Sequence, residues 1–541
     1  MGVLSETQIR KINQLFIQFE QEGSPGVALG IIHQGTFILK RGYGLANIED
    51  NIPISSQTIF NVGSVAKQFT ATCAALLIEQ GDLSLEDSIA TYFPQMPDYG
   101  HKILIRHLIY HTSGLRDYQE LVYLKGLDDH SCYDSDFALR LLFSQTTLNF
   151  APGEEERYSN SNYLLLGQII QLVSGKSLRQ FAEECIFTPL GMKNTFFQDN
   201  FAEIIPNRAI GYALNQSNDF EAFTSKIDVV GDGGLRTNLD DLLLWDQNFY
   251  RNTLGSNNAS LINLLTAPGQ VNDGTQFNYG FGLILGNYHG MAIQRHGGAF
   301  AGYCAEMLRF PKEQTTVICL ANLSNLSPWV LAEQVAHVLF DLPQANIEGE
   351  ENNDGVVGFE PLEEISADLL KQYVGYYDLG AASPLEIVTE NGMLLLKYNE
   401  EESLPLLAKS TKVFIEPTFQ VELQFKNFHS DKSSFLIFKT SQQEIIAAKV
   451  NYSQAVSFDL TTYTGNFYCE ALKVVYSLFI QENNLYLAID FQKPITIHLS
   501  DANFADTTLG IIHFFRNDEN QVLGFWLSTE QSDRLQFIKL S

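Results

Sequence analysis

Residues 60–81 read FNVGSVAKQFTATCAALLIEQG. The spacing predicts an amphiphilic helix that opens at Ser64 and carries Lys67 on a face otherwise made of Phe69, Cys73, Leu76 and Leu77. A lysine among core positions is costly to desolvate unless something uses it. At a helix start Ser64 meets free backbone N–H groups and the positive end of the dipole. Lys67, at i+3, shares its face. A nucleophile placed there has oxyanion donors at hand, its own N–H among them. The ammonium can favour a nearby phenolate, or the amine can itself accept a proton once burial lowers its pKa. Alone, the pair reads equally well as an N-cap serine and a solvated lysine, although it is the chain's one S-x-x-K match.

Two further stretches carry chemistry. In FAPGEEERYSNSNYLLLG (150–167) a Pro-Gly turn and a polar run place Tyr158 in a loop just ahead of an apolar helix that starts at Asn160. A phenol with a pKa near 10 is a poor base. Beside an ammonium it is expected to drop by about two or three units and accept the serine proton. Asn160 offers an amide that can bind a substrate carbonyl or hold Lys67. In AIQRHGGAFAGYCAEML (292–308), His296 precedes Gly297 and Gly298 between two strands. Glycines there let backbone approach a ligand closely, and the Ala299 N–H becomes a second oxyanion donor.

The 541 residues are 45% hydrophobic and 18% charged, a packed composition long enough for several domains. A net charge of −29 argues against nucleic acid and anionic membranes as partners. No apolar run approaches the roughly 20 residues of a spanning helix. The start, MGVLSETQIRKINQLFIQFE, is polar and amphipathic, unlike a signal peptide. The expected compartment is therefore the cytoplasm, or the periplasm or exterior if a leader has been removed. Six scattered cysteines without CxxC spacing read as small core residues. His107 and His111 are spaced i,i+4 but lack a third ligand pattern, so neither a metal nor any other cofactor is expected. GDGG (231–234) reads as a turn near the cleft, and Asp228 and Asp232 around it receive no role.

PGVALGIIHQGTFILKRGYGLAN (25–47) reads as two strands joined at Gln34-Gly35. A helix-rich region follows to about residue 225, with clear helix starts at Ser64, Asn160 and Leu178. Strands return as YGFGLIL, MAIQRHGG, YCAEMLRF and TTVICLAN, and PWVLAEQVAHVLF closes the unit as a helix. This order predicts a mixed sheet flanked by helices in a domain spanning 1–343. Residues 344–364, acidic and Asn/Gly-rich, read as a linker. Beyond it LKQYVGYYD (370–378) parallels LTTYTGNFY (460–468), and EIVTENGMLLLKY (386–398) parallels LFIQENNLYLAID (478–490). Two small antiparallel barrels, 365–455 and 456–541, follow most simply.

Together, S-x-x-K, Y-x-N and H-x-G in this order resemble the serine β-lactamase and penicillin-binding-protein superfamily, in its class C-like branch. HLIYHTSGL (107–115), PLGMKNT (189–195), GDGGLRTNLDDLLLW (231–245) and YGFGLIL (279–285) support the resemblance over about residues 8–342. It implies an α/β domain plus an all-α subdomain with the site in the cleft between them. It also implies Ser64 as the acylated nucleophile, Lys67 as its activator and Tyr158 as general base and then leaving-group acid. Asn160, His296 and Gly298 would line the site, and the N–H groups of Ser64 and Ala299 would form the oxyanion pair. Most β-lactamases and DD-peptidases have lysine where His296 stands, and a neutral histidine would bind a substrate carboxylate less well. The H-x-G variant, with two barrels appended, resembles D-aminopeptidases. The implied activity is hydrolysis of small amides or esters through an acyl-enzyme, with release of N-terminal D-amino acids as the first reading. A carboxylesterase, a penicillin-recognising DD-peptidase or β-lactamase, and a slow-acylating sensor are the alternatives. The expected partner is a small molecule or short peptide, with a homodimer allowed.

Overall fold

The computed structural model describes residues 3–128, 130–215, 217–255, 260–342, 367–378, 385–390, 393–397, 403–410, 412–416, 421–426, 435–439, 444–450, 458–490, 492–499, 502–529 and 531–540. The linker read over 344–364 lies outside them. The chain divides into two compact units, the first built on Met1–Leu342 and the second on most of the residues beyond.

The first unit is organised by a six-stranded sheet in the order Ile284–Tyr288, Met291–Phe300, Tyr303–Phe310, Thr315–Ala321, Val27–His33, Thr36–Tyr43. Every neighbouring pair is antiparallel, where a mixed sheet was expected. For three of the five pairs the reason is local. Gln34-Gly35, His289-Gly290 and Ala301-Gly302 each carry two consecutive positive φ angles. That is the geometry of two-residue hairpins, which join only antiparallel strands. The YGFGLIL strand is likewise shorter than read, because regular pairing begins at Ile284.

Both faces of this sheet are covered. Val27, Leu29 and Ile31 pack into one core with the helices Glu6–Leu15 and Pro328–Phe340. Ala28 and Ile32, on the alternate face, join the larger core, which holds the helices Lys67–Gln80, Asn160–Ser174 and Leu239–Arg251. The helices at Asn160 and Leu178 begin where the sequence placed them. The 60–81 stretch differs from its reading. Gly63–Ala66 forms a 3₁₀ turn, and every residue of the following helix from Lys67 to Leu77 is buried. It is a central helix rather than an amphiphilic one, and its short polar residues are absorbed by partners. Thr70, for example, donates to the Gly231 carbonyl at 2.7 Å.

The second unit contains two antiparallel eight-strand barrels, Gly375–Asp378 through Glu444–Val450 and Gly465–Cys469 through Leu535–Lys539. Their repeat is visible at single residues. Tyr377 pairs with Lys449 across the closure of the first barrel, and Phe467 with Lys539 across that of the second. Each lysine ammonium lies over its partner ring, at 5.9 and 5.7 Å. Each lysine stem also occupies the space beside a glycine, Gly375 or Gly465, at 2.7 Å from where a Cβ would stand. Equivalent residues are ninety positions apart.

One buried ion pair ties the helix Leu239–Arg251 to the sheet. Arg309 Nε donates to Asp246 Oδ1 at 2.8 Å with both side chains 1% exposed. Thr316 Oγ1 donates to the same oxygen at 2.7 Å, and the guanidinium lies 3.6 Å from the Phe249 ring centre. Asp246→Ala should cost about 3–5 kcal/mol in urea denaturation because it strands a buried guanidinium. Joint replacement of Asp246 and Arg309 by leucine and methionine should recover most of that loss.

Candidate active site

The site assembles around Lys67, which is 0% exposed. Its Nζ donates to Ser64 Oγ at 3.0 Å, to Asn160 Oδ1 at 2.8 Å and to the Asp232 carbonyl at 2.7 Å. An ammonium has three donors, and all three are used. Burial lowers its pKa to about 8, against the upward pull of Asp232 and Asp117. Loss of one proton leaves two N–H groups for the two fixed carbonyl oxygens and a lone pair directed at Ser64.

Tyr158 stands beside the same serine, whose hydroxyl works against the rise of the phenol's pKa. Its ring centre lies 4.9 Å from Lys67 Nζ. The expected fall in its pKa does not occur. Burial pushes the phenol well above its ordinary value, with Asp232, Tyr163 and Asp117 adding to the rise. In a closed site desolvation of a phenolate outweighs the attraction of one nearby ammonium.

Asn160 bridges two walls. Its Oδ1 accepts from Lys67, while its Nδ2 donates to Gln119 Oε1 at 3.1 Å. Its backbone N–H donates to Asp117 Oδ2 at 2.5 Å, and Asp117 Oδ1 caps the helix Tyr118–Leu124 through Gln119 N at 2.8 Å.

The strand Met291–Phe300 brings Gly298 and Ala299 against the 3₁₀ turn. A Cβ on Gly298 would fall 2.5 Å from Ser64 N and 2.1 Å from the Val62 carbonyl. A Cβ on Gly63, whose φ is +50°, would fall 2.7 Å from Ala299 N. Only glycines allow this approach, and it sets the backbone nitrogens of Ser64 and Ala299 side by side. Ser64, Asn160 and Ala299 line a cavity of about 430 Å³ together with Tyr118, Gln119, Asp232 and Arg236.

His296 belongs to the cluster around Tyr158. It is 3% exposed, packs behind Tyr158 with ring centres 6.2 Å apart and, like Lys67 and Tyr158, is not among the cavity-lining residues. Its Nδ1 lies 2.6 Å from the Gly297 carbonyl, which can only accept, so Nδ1 carries the proton. Its Nε2 then accepts from Tyr279 Oη at 3.2 Å. Tyr279 Oη also lies 3.2 Å from His111 Nε2, and His111 Nδ1 accepts from Ser159 N at 3.1 Å. The His111 ring lies 4.3 Å from the Tyr158 ring, centre to centre. Burial and the nearby Lys67 charge lower both histidines, His296 to about 4, so both are neutral at pH 7.

Sequence reasoning missed His111, Tyr279, Asp117, Tyr118 and Gln119 as parts of this cluster. HTSG and YGFG were quoted as supporting context, and nothing local distinguishes their His and Tyr from core residues. Asp232 was noticed without a role.

The chain is 31% identical over 316 residues to a D-aminopeptidase of Gluconobacter oxydans, covering 58% of this chain and 59% of that protein. It thus spans under two thirds of that relative's length. It is 27% identical over 429 residues to penicillin-binding protein 4* of Bacillus subtilis, covering 76% of this chain and 92% of the relative. Among solved structures it resembles the octameric penicillin-binding protein homologue from Pyrococcus abyssi, with a TM-score of 0.58 at 20% identity over 90% of this chain and 99% of the other. It also resembles the D-amino acid amidase of Ochrobactrum anthropi SV3, with a TM-score of 0.52 at 21% identity over 62% and 99%. The Beta-lactamase family profile matches residues 12–337, well over half of the chain, and the protein belongs to that family.

Proposed function

We propose that this protein is a serine hydrolase that acylates Ser64, and that it releases D-amino acids from the N-termini of small amides and peptides. The observation that carries the reading is Lys67 Nζ at 3.0 Å from Ser64 Oγ, with its other two donors committed to fixed oxygens. Relatives named D-aminopeptidase support the substrate class.

In the proposed cycle neutral Lys67 takes the Ser64 proton as Oγ attacks the carbonyl carbon. The oxyanion is held by the N–H groups of Ser64 and Ala299. Its collapse expels the amine, which takes the proton from Lys67 by way of the Tyr158 hydroxyl. Water then attacks the acyl carbon, returns a proton to Lys67, and Ser64 leaves with it. Tyr158 relays as a neutral phenol, because burial holds its pKa well above the working range.

A fluorophosphonate probe should label wild-type protein at Ser64 and leave Ser64→Ala unlabelled, with peptide mass mapping as the readout. Labelling elsewhere at equal rate would refute the nucleophile assignment. The base assignment predicts a pH profile on an ester that carries no amine: kcat/KM should fall about tenfold per unit below a pKa near 8 and level off above it, as Lys67 loses its proton. Tyr158→Phe should lower kcat by roughly 10²–10⁴ while keeping that limb. If the limb vanishes in Tyr158→Phe, the phenol and not the amine is the first acceptor. Gly298→Ala should cost roughly 10²–10³ in kcat, as expected when an oxyanion donor is displaced, with the melting temperature recorded alongside.

A further inference from the structure

Among the described residues, the charged side chains of Glu49, Arg208, Asp232 and Arg236 line the cavity. Asp232 is the one tied to the reacting groups, since its carbonyl oxygen accepts from Lys67 Nζ. Its side chain does something different. Oδ2 accepts from Tyr118 Oη at 2.9 Å and from Gln119 Nε2 at 3.2 Å, while Oδ1, closed from solvent, has no hydrogen-bond partner among the described residues. Asp232 is 4% exposed, and among the described residues no lysine or arginine forms an ion pair with its carboxylate. Lys67 meets only the main chain of this residue, and Arg236 is bound to Gln198 Oε1 at 2.7 Å with its guanidinium over the Tyr303 ring.

A buried carboxylate with one empty oxygen is expensive. Asparagine would satisfy Tyr118 equally well. The arrangement makes sense if a cation arrives during turnover. Gln119 shows where. Its Nε2 is a neutral donor on Asp232, while its Oε1 accepts from Asn160 Nδ2, the amide beside Ser64. Gln119 is only half-buried and can turn aside. A primary ammonium replacing that amide nitrogen would find the carboxylate and the amide oxygen as acceptors. In an α-amino acyl group the ammonium is two bonds from the carbonyl carbon that Ser64 attacks, so it must bind on this part of the wall.

We propose that Asp232 is the docking point for a free cationic amine on the acyl part of the substrate, and so selects α-amino acyl amides and esters over blocked or amine-free ones. This rests on the reading of Ser64 as the acylated residue. Burial raises the Asp232 pKa while Lys67 draws it down, and an incoming ammonium would favour the ionised form as Lys67 does.

The test uses two esters differing only in the amine, D-alanine ethyl ester and ethyl propionate. They are assayed at pH 6.5, below the α-amine pKa of roughly 7.7–8.0. Each kcat/KM is divided by that ester's own alkaline hydrolysis rate, because the ammonium also activates the carbonyl. The corrected alanyl-to-propionyl ratio should be roughly 10–100 in the wild-type protein, the range for a charge-assisted hydrogen bond. It should fall to near one in Asp232→Asn, whatever happens to either rate alone. A wild-type ratio near one overturns the proposal without any variant, and so does an unchanged ratio in a folded Asp232→Asn. Hydrolysis of D-alanine p-nitroanilide is scored separately. Its absence with the ester ratio intact would retire the aminopeptidase reading and leave the amine site standing.

Discussion

A lysine ammonium held in the core governs this site. Lys67 is fully enclosed, and desolvation alone would drive off its proton. Three oxygens from three parts of the chain oppose that: a serine of the preceding 3₁₀ turn, an asparagine at the start of the Asn160–Ser174 helix, and a carbonyl of the GDGG turn. None of them is a charged side chain, so the ammonium is stabilised by dipoles and by two carboxylates, Asp117 and Asp232, acting without direct contact. The balance leaves its pKa near 8, where a small shift of environment moves a proton. A direct Lys–Asp pair would have held the proton too firmly for base chemistry.

The neighbours of Tyr158 obey the same constraint. A second cation close to Lys67 would be repelled unless a carboxylate faced it. The two histidines flanking Tyr158 are neutral, and the backbone fixes how. Ser159 N–H forces His111 to carry its proton on Nε2, and the Gly297 carbonyl forces His296 to carry its proton on Nδ1. Tyr279 then has one consistent orientation, accepting from His111 and donating to His296. The chain of donors runs in one direction from backbone N–H to backbone carbonyl. A lysine at position 296 would break it and bring a second ammonium toward Lys67.

Much of this was legible in the sequence, and the limits are physical. Three hairpins were readable in principle, because Gln34-Gly35, His289-Gly290 and Ala301-Gly302 are local turn chemistry. Only the first was read as a turn, and the three together set three of the sheet's five pairings. The 90-residue barrel repeat was legible because tyrosine and glycine recur at fixed offsets, and the structure adds the lysines that close each barrel. Ser64, Lys67, Tyr158 and Asn160 were singled out because S-x-x-K, Y-x-N and H-x-G occur in one order along the chain; taken singly, each is ordinary where it stands. His111, Tyr279 and Asp117 were missed because a histidine, a tyrosine and a capping aspartate are ordinary where they stand. Their roles exist only once distant segments meet. The direction of the Tyr158 shift failed for a related reason. Its sign depends on how completely water is excluded, and sequence does not record that.

A neutral histidine at position 296 weakens carboxylate binding on one strand only. Arg236, on the strand Leu235–Thr237, and Arg208 both line the cavity, so positive charge enters it from a different edge. The net charge of −29 is equally uninformative there, because the lining carries two arginines against Glu49 and Asp232. Selectivity therefore depends on where each charge sits relative to Ser64. Asp232 is joined through its backbone to Lys67 and through Gln119 to Asn160, the group beside the acyl carbon. Arg236 is joined to Gln198 and Tyr303 instead. A cationic acyl group and a cationic leaving group are thus unequal substrates even in a cavity with no net charge in its lining.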